Sequence, residues 1–363
     1  MQNEKIIEVF KKIKYPGTDK DIFSMHMVDR ITIEGNQINI QISIPHTDNP
    51  YKGDINLSAM TEIKKVYPDA VVNIHFKGGH EFDTNNTPTT SKIKNIIAIA
   101  SGKGGVGKST VAANLALCLK KQGAKVGLVD TDLYGPSIPI MFGLQGKRPE
   151  IKEINNVQNI VPIMAFGIPI MSIGFIIEAN KAMVMRGPRL GAIIKQFFNQ
   201  VLWPTLDYLI VDLPPGTGDI QLSLVQSVPV TGAIIVTTPQ RVAVADAIKA
   251  ANMFTTDPVN VPLIGVVENM SWFTPEELPN NKYRLFGKGG GQQLARLYQT
   301  KLLGQIPIVQ NIMEGGDSGK PVSLDEESIT AQYFNDLTTN VIDQVAKRNN
   351  NKAPTDMLNI TVH

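Results

Sequence analysis

The stretch Ile96-Ile97-Ala98-Ile99-Ala100-Ser101-Gly102-Lys103-Gly104-Gly105-Val106-Gly107-Lys108-Ser109-Thr110 decides how the rest of this chain is arranged. Its short apolar run reads as a buried strand, its glycines as a turn, and the following Val111–Leu119 as a helix. Gly102, Gly107, Lys108 and Ser109 fit the spacing G-x-x-x-x-G-K-[ST] in the strand-then-helix context that a phosphate-binding loop requires. Glycines are needed because the backbone N–H groups must converge on phosphate oxygens, which takes backbone angles that side chains forbid. The helix N-terminus adds positive dipole at the same point. Gly102 to Thr110 are therefore the predicted ATP-binding residues. Lys108 supplies charge for the β- and γ-phosphates, and the Ser109 hydroxyl is placed to ligate Mg²⁺.

From Lys92 onward, apolar strands alternate with helices: Ile96–Ala100, Val126–Val129, Leu209–Val211, Ala233–Thr237, Leu263–Val267 and Leu303–Ile306. That alternation predicts an α/β fold, a mostly parallel sheet flanked by helices and joined by right-handed crossovers. Ahead of it, residues 1–83 read as a separate small α+β domain. A helix over Glu4–Phe10 stops before Pro16-Gly17, and Ile31–Ile33 with Ile38–Ile44 alternate as a hairpin. Asp54–Tyr67 has helical spacing, and Ala70–Phe76 is a further strand. Residues 84–92 are polar and proline-containing, a linker. The ATPase domain is expected over 93–346 and a mobile tail over 347–363.

With 363 residues, two domains fit the length. Thirty-five basic and thirty-three acidic residues nearly cancel, so net charge implies neither a nucleic-acid nor an acidic-membrane partner. Residues 1–14 are charged and amphipathic without the apolar run of a signal peptide. A single cysteine, Cys118, excludes a disulfide framework and suits the cytoplasm. Ile160–Ile177 carries no charge, yet Pro162, Gly167, Pro169 and Gly174 break it, so two short buried strands are expected rather than a membrane span. His75 and His80, five positions apart, have poor metal spacing and read as surface histidines.

Asp130 and Asp132 follow the second apolar strand, two positions apart and so on one face, at the carboxyl end where a nucleotide would sit. Two carboxylates beside a magnesium nucleotide suit metal-water coordination and placement of an attacking water. The run Tyr208–Asp219 is an apolar strand ending in Asp212, the Walker B arrangement, with Asp212 on Mg²⁺. Gly216 and Gly218 leave the next segment free to rearrange when the γ-phosphate leaves. Asn269 ends a later strand with an amide suited to an adenine edge, and Pro307 is placed to pack on the base.

The run Lys103–Lys108 resembles the deviant phosphate loop of the MinD/ParA/nitrogenase-iron-protein class. The resemblance implies that Lys103 reaches across a homodimer interface to the partner's nucleotide, a cation in trans like an arginine finger. Gly102–Thr110, Asp130–Ser137, Arg186-Gly187-Pro188 and Leu206–Asp219, with the unusual Asp-Leu-Pro-Pro-Gly-Thr-Gly-Asp, together resemble the Mrp/ApbC iron–sulfur cluster carrier ATPases over roughly 93–345. The element order of 1–83 resembles the PaaD-like domain often fused ahead of them. The resemblance implies slow, dimer-dependent ATP hydrolysis with Lys103, Lys108 and Asp132 catalytic. Asp132 would orient the water, and Ser109, Asp130 and Asp212 would serve Mg²⁺. It further implies carriage of a [4Fe–4S] cluster to apo iron–sulfur proteins or assembly factors, without membrane or nucleic acid. One departure stands out: the family's Cys-x-x-Cys after the Asn-Met is absent from Asn269–Leu278. A [4Fe–4S] cluster takes four thiolates and two chains offer two, so direct ligation is in doubt. Cys118, beside Leu115 and Leu119, reads as core. The alternatives are a MinD/ParA-like dimerisation switch and a non-hydrolysing nucleotide-binding scaffold.

Overall fold

A computed structural model describes residues 2–351 apart from 16–20, 26, 35, 45–50, 78–91, 134, 155–156, 177–186, 219–220, 222–224, 226–227, 258, 276, 279 and 326. The chain divides into two compact units, one within Met1–Thr87 and one within Pro88–Met357. The expected linker at 84–91, His80 and Arg186 lie outside the described residues.

In the first unit, helix α1 (Gln2–Lys11) is followed by strands β1 (Val28–Glu34) and β2 (Gln37–Ser43), helix α2 (Lys52–Val66) and strand β3 (Val71–Lys77). β1 and β2 are antiparallel, and β3 joins β2 in parallel. The period-two pattern of β2 sends Ile38, Ile40 and Ile42 inward. There they meet Ile6 and Phe10 of α1 and Ile55, Ala59 and Ile63 of α2 in one apolar core. His75 on β3 is exposed, as its sequence context predicts.

The second unit is built on β4 (Ile93–Ala100), α3 (Lys108–Lys121), β5 (Val126–Asp130), α4 (Ile138–Met141), β6 (Glu150–Ile154), β7 (Val157–Val161), β8 (Ile163–Ala165) and β9 (Ile168–Ser172). It continues with α5 (Gly187–Asn199), β10 (Leu206–Asp212), β11 (Gly232–Thr237), α6 (Arg241–Thr255), β12 (Leu263–Glu268), α7 (Gly290–Leu297), β13 (Lys301–Gln305), α8 (Gln310–Asp317) and α9 (Ile329–Asn351). Eight strands form one sheet in the order β13-β12-β11-β4-β10-β5-β9-β8. All its pairings are parallel except β8 with β9. β4 is buried almost throughout, which is why its sequence is a continuous apolar run rather than an alternation. α3 packs with α9, and α6 with α7, so helices flank the sheet. Strand addition reverses around β4, and in such sheets the crevice at the carboxyl ends of the strands beside the reversal takes the ligand.

Two expectations are corrected. Within Ile160–Ile176 only β9 is a buried strand. β8 is the sheet edge, with Met164 59% exposed, and turns back through Phe166 and Gly167, both at positive φ. Residues 347–351 continue α9 rather than opening a tail, and the Asn349 amide donates to Asn95 Oδ1 at 2.8 Å. Residues 352–363 of that expected tail lie outside the described residues.

Candidate functional site

Three loops meet at the carboxyl ends of β4, β5 and β10, and backbone hydrogen bonds stitch them together. Leu213 N–H donates to Ile99 O at 3.1 Å, Gly216 N–H to Ser101 O at 2.9 Å, and Thr131 N–H to Asp212 O at 2.9 Å. The phosphate loop enters α3 through Gly107, at φ +81°, a conformation that favours glycine. A Cβ there would also fall 2.1 Å from Asn269 Nδ2. Gly102 is glycine for a different reason: a Cβ would lie 2.1 Å from the backbone carbonyl carbon of Asp246 in α6. Gly104 and Gly105 are exposed, Lys103 is half-buried and Val106 is buried. The first turn of α3 holds no acidic side chain, so its positive end is left for an anion.

Lys108 is buried and donates to Asp212 Oδ1 at 2.7 Å, with Asp132 Oδ2 at 3.7 Å. Its neighbour Ser109 holds its Oγ 3.4 Å from the same ammonium. The site thus gathers Lys108, Ser109, Asp132 and Asp212 from three elements far apart in sequence. Asp212 Oδ2 is buried and has no hydrogen-bond partner among the described residues. An orphaned carboxylate oxygen beside a hydroxyl fits a hard cation, and Mg²⁺ takes only one or two protein oxygens, leaving the rest to water and phosphate. Among the described residues, no three His, Cys, Asp or Glu cluster as a closed metal cage.

Asp130 is engaged within the protein. Its Oδ1 accepts from Asp132 N–H at 3.0 Å, and its Oδ2 from Ser172 Oγ at 2.9 Å and Ile138 N–H at 3.3 Å. Fully buried, it holds the Asp132 backbone and the start of α4 in place. Burial, then the charge of Asp212 opposite it in the β5–β10 register, pushes the Asp130 carboxyl up to about 7.

Asn269 is buried, and its Nδ2 donates to Val106 O at 2.8 Å, so its amide nitrogen braces the phosphate loop. One of the two N–H donors of that amide is therefore engaged within the protein. Pro307 is buried just past β13. Sequence reasoning missed Ser172, Glu268 and Gln221. Buried Glu268 accepts from Gly291 N–H at 2.7 Å, Ser271 Oγ at 2.9 Å and Gln305 Nε2 at 2.6 Å, which ties the start of α7 to β12. The only signal for it was a carboxylate closing the apolar run Leu263–Val267. Cys118 is buried in the core, and its thiol donates to Ser323 Oγ at 3.3 Å. Burial pushes that thiol up, away from the thiolate form that binds metal.

Comparison with known proteins then adds sequence and fold relationships. A family profile described as NUBPL iron-transfer P-loop NTPase matches residues 92–342, and one described as iron–sulfur cluster assembly protein matches residues 3–76. The chain is 38% identical over 349 residues to an iron–sulfur cluster carrier protein of Synechocystis, covering 95% of this chain and 98% of that one. It is 46% identical over 266 residues to an iron–sulfur cluster carrier protein of Escherichia coli K12, covering 72% and 70%. Among solved structures, a nucleotide-binding protein of Archaeoglobus fulgidus in complex with ADP matches with TM-score 0.58 and 37% identity, covering 68% of this chain and 94% of that chain. The cell division ATPase MinD of Pyrococcus furiosus matches with TM-score 0.51 at 23% identity, covering 69% and 99%, a likeness of fold alone.

Proposed function

Since the chain belongs to the family of NUBPL-type iron-transfer P-loop NTPases, we propose that it is an ATP-hydrolysing iron–sulfur cluster carrier or assembly factor. The observation that carries the reading is the 2.7 Å contact of Lys108 with Asp212 at the mouth of a glycine loop, with Asp132 alongside. In this reading the backbone of Gly102–Thr110 wraps the phosphates of ATP, and Lys108 turns from its carboxylates to the β- and γ-phosphates. Asp132 orients the attacking water. Ser109 Oγ and Asp212 Oδ2 would hold Mg²⁺, which supplies charge neutralisation on the phosphate oxygens. Asn269 steadies the loop and leaves its carbonyl oxygen for the adenine amino group, with Pro307 against the ring. Two chains pair so that Lys103 of each reaches the nucleotide of the other, and turnover is slow and dimer-dependent. The unit at 1–83 recruits apo iron–sulfur proteins or assembly factors.

Cluster handling is proposed without ligation by this chain's thiols, because Cys118 is its sole cysteine and is buried. The cluster is cargo, and its ligands come from a client or an assembly partner. The test is Mg²⁺-ATP turnover by the pure protein, together with anaerobic iron transfer between a loaded scaffold and an apo iron–sulfur protein. ATP hydrolysis with nucleotide-dependent acceleration of transfer is expected. Turnover without any effect on transfer would favour the dimerisation switch, and neither activity would leave the scaffold.

A further inference from the structure

The loop that follows Asp212 is Leu213-Pro214-Pro215-Gly216-Thr217-Gly218. Its carbonyls have an unusual problem. Two successive prolines bring no N–H, and the flanking N–H groups of Leu213 and Gly216 are already donated to β4 and to Ser101. From Leu213 to Gly216 no N–H is left over for the turn's own carbonyls. Gln221, only 2% exposed, supplies the missing donor: its Nε2 lies 3.0 Å from Pro214 O, 3.3 Å from Pro215 O and 3.1 Å from Gly216 O. The orientation of the amide is set by chemistry, since an amide oxygen facing three carbonyl oxygens would be repelled. Its other end, Oε1, is buried without a hydrogen-bond partner among the described residues, beside Gly218, where an added Cβ would stand 3.6 Å from it. A buried polar atom left unpaired beside a glycine-containing turn needs an explanation.

We propose that Gln221 is a positioning residue for ATP hydrolysis, holding the 214–216 turn through Nε2 and keeping Oε1 as the acceptor for an N–H of Thr217 or Gly218 when the turn closes on the γ-phosphate. The proposal rests on the ATPase reading given above. In its closed form the turn trades part of the three-carbonyl contact for a bond to Oε1, so one side chain serves both arrangements. Leu213 is hydrogen-bonded to β4 and Asp212 to Thr131, so the end of β10 that carries Asp212 stays anchored while the turn beyond it closes.

Three variants test this. Gln221→Met keeps the length and removes both polar ends. Gln221→Glu places a carboxylate among the carbonyls, and on protonation regains a single O–H donor. Gln221→Asn keeps the amide but shortens its reach. Hydrogen exchange at Gly216, whose N–H is bonded to Ser101 O, measured without nucleotide, reads the clamp whether or not the protein turns over ATP. We expect roughly tenfold faster exchange in Gln221→Met, the scale of one lost hydrogen bond. With Mg²⁺-ATP, kcat should fall about tenfold or more while KM changes less than about threefold. The ratio of Gln221→Glu to wild-type kcat should rise as pH falls, because the protonated acid can donate. Unchanged exchange in Gln221→Met, or a pH-independent ratio for a folded Gln221→Glu, overturns the proposal. If the wild type hydrolyses no ATP, the function assigned above fails, while the exchange measurement still decides the clamp.

Discussion

Lys108 and Asp212, 104 positions apart in sequence, meet at 2.7 Å with neither side chain more than 5% exposed. One ammonium stands among the carboxylates of Asp212, Asp132 and, behind them, Asp130. The acidic charge exceeds the basic charge at this point, which is the electrostatic setting that welcomes a divalent cation. It also means that Lys108 works for the fold besides the phosphate role proposed for it.

Lys108→Ala is therefore expected to do two things. Nucleotide affinity should fall at least about a hundredfold, since a charge-assisted contact to phosphate is lost in a buried setting. Stability should also drop by about 3–5 kcal/mol, because Asp212 is left as a buried charge without its partner. Titration calorimetry with Mg²⁺-ATP and urea unfolding check the two effects separately. Unaltered affinity would remove the loop assignment.

Lys103 sits in the same loop yet has no part in the buried cluster, and it is only half-buried. Lys103→Ala should leave ATP affinity within about threefold while lowering turnover by roughly 10³, the scale of a cation delivered in trans. Mixing it with a Lys108→Ala chain should restore some activity, because each paired site then needs only one intact residue of each kind. Equal loss of binding and turnover would exclude the trans role.

Much of this was legible in the chain. The phosphate loop, the six predicted parallel strands and Asp212 at a strand end all follow from local patterns, where apolar runs and glycine spacing carry the information. The spacing of Asp130 from Asp132 says which face it shares, but not that Ser172 and Ile138 donate to its Oδ2. Gln221 and Glu268 could not be singled out, because their roles depend on backbone groups brought close by tertiary packing. β8 was read as buried because an edge strand with an apolar composition looks like a core strand until its neighbours are known.

Asp130 gives a pH signature. Its native carboxyl is pushed up to about 7 by burial and by Asp212, whereas an unfolded aspartate titrates near 4. Between those values the native state binds the extra proton, so this group's contribution to stability is fully present below about pH 4 and is lost as pH rises toward 7. In Mg²⁺-free, nucleotide-free solution, urea unfolding should show stability declining over that window more steeply in the wild type than in Asp130→Asn. Parallel profiles would mean that Asp130 stays ionised throughout.

Cys118 is the residue on which cluster ligation by this chain would have to depend. Its side chain is buried among Leu115, Leu119 and the α3–α9 contact, its thiol donates to Ser323, and burial keeps it protonated. Iron needs an accessible thiolate, and four of them for a [4Fe–4S] centre. Anaerobic reconstitution of wild type and Cys118→Ser with iron and sulfide should therefore give the same iron content per chain and the same visible spectrum. The substitution should cost about 1 kcal/mol, because a buried thiol is exchanged for a more polar hydroxyl beside Ser323. A chromophore present in the wild type and missing from a folded Cys118→Ser would place the cluster on this thiol, and would require the α3 core to open so that two chains could share it.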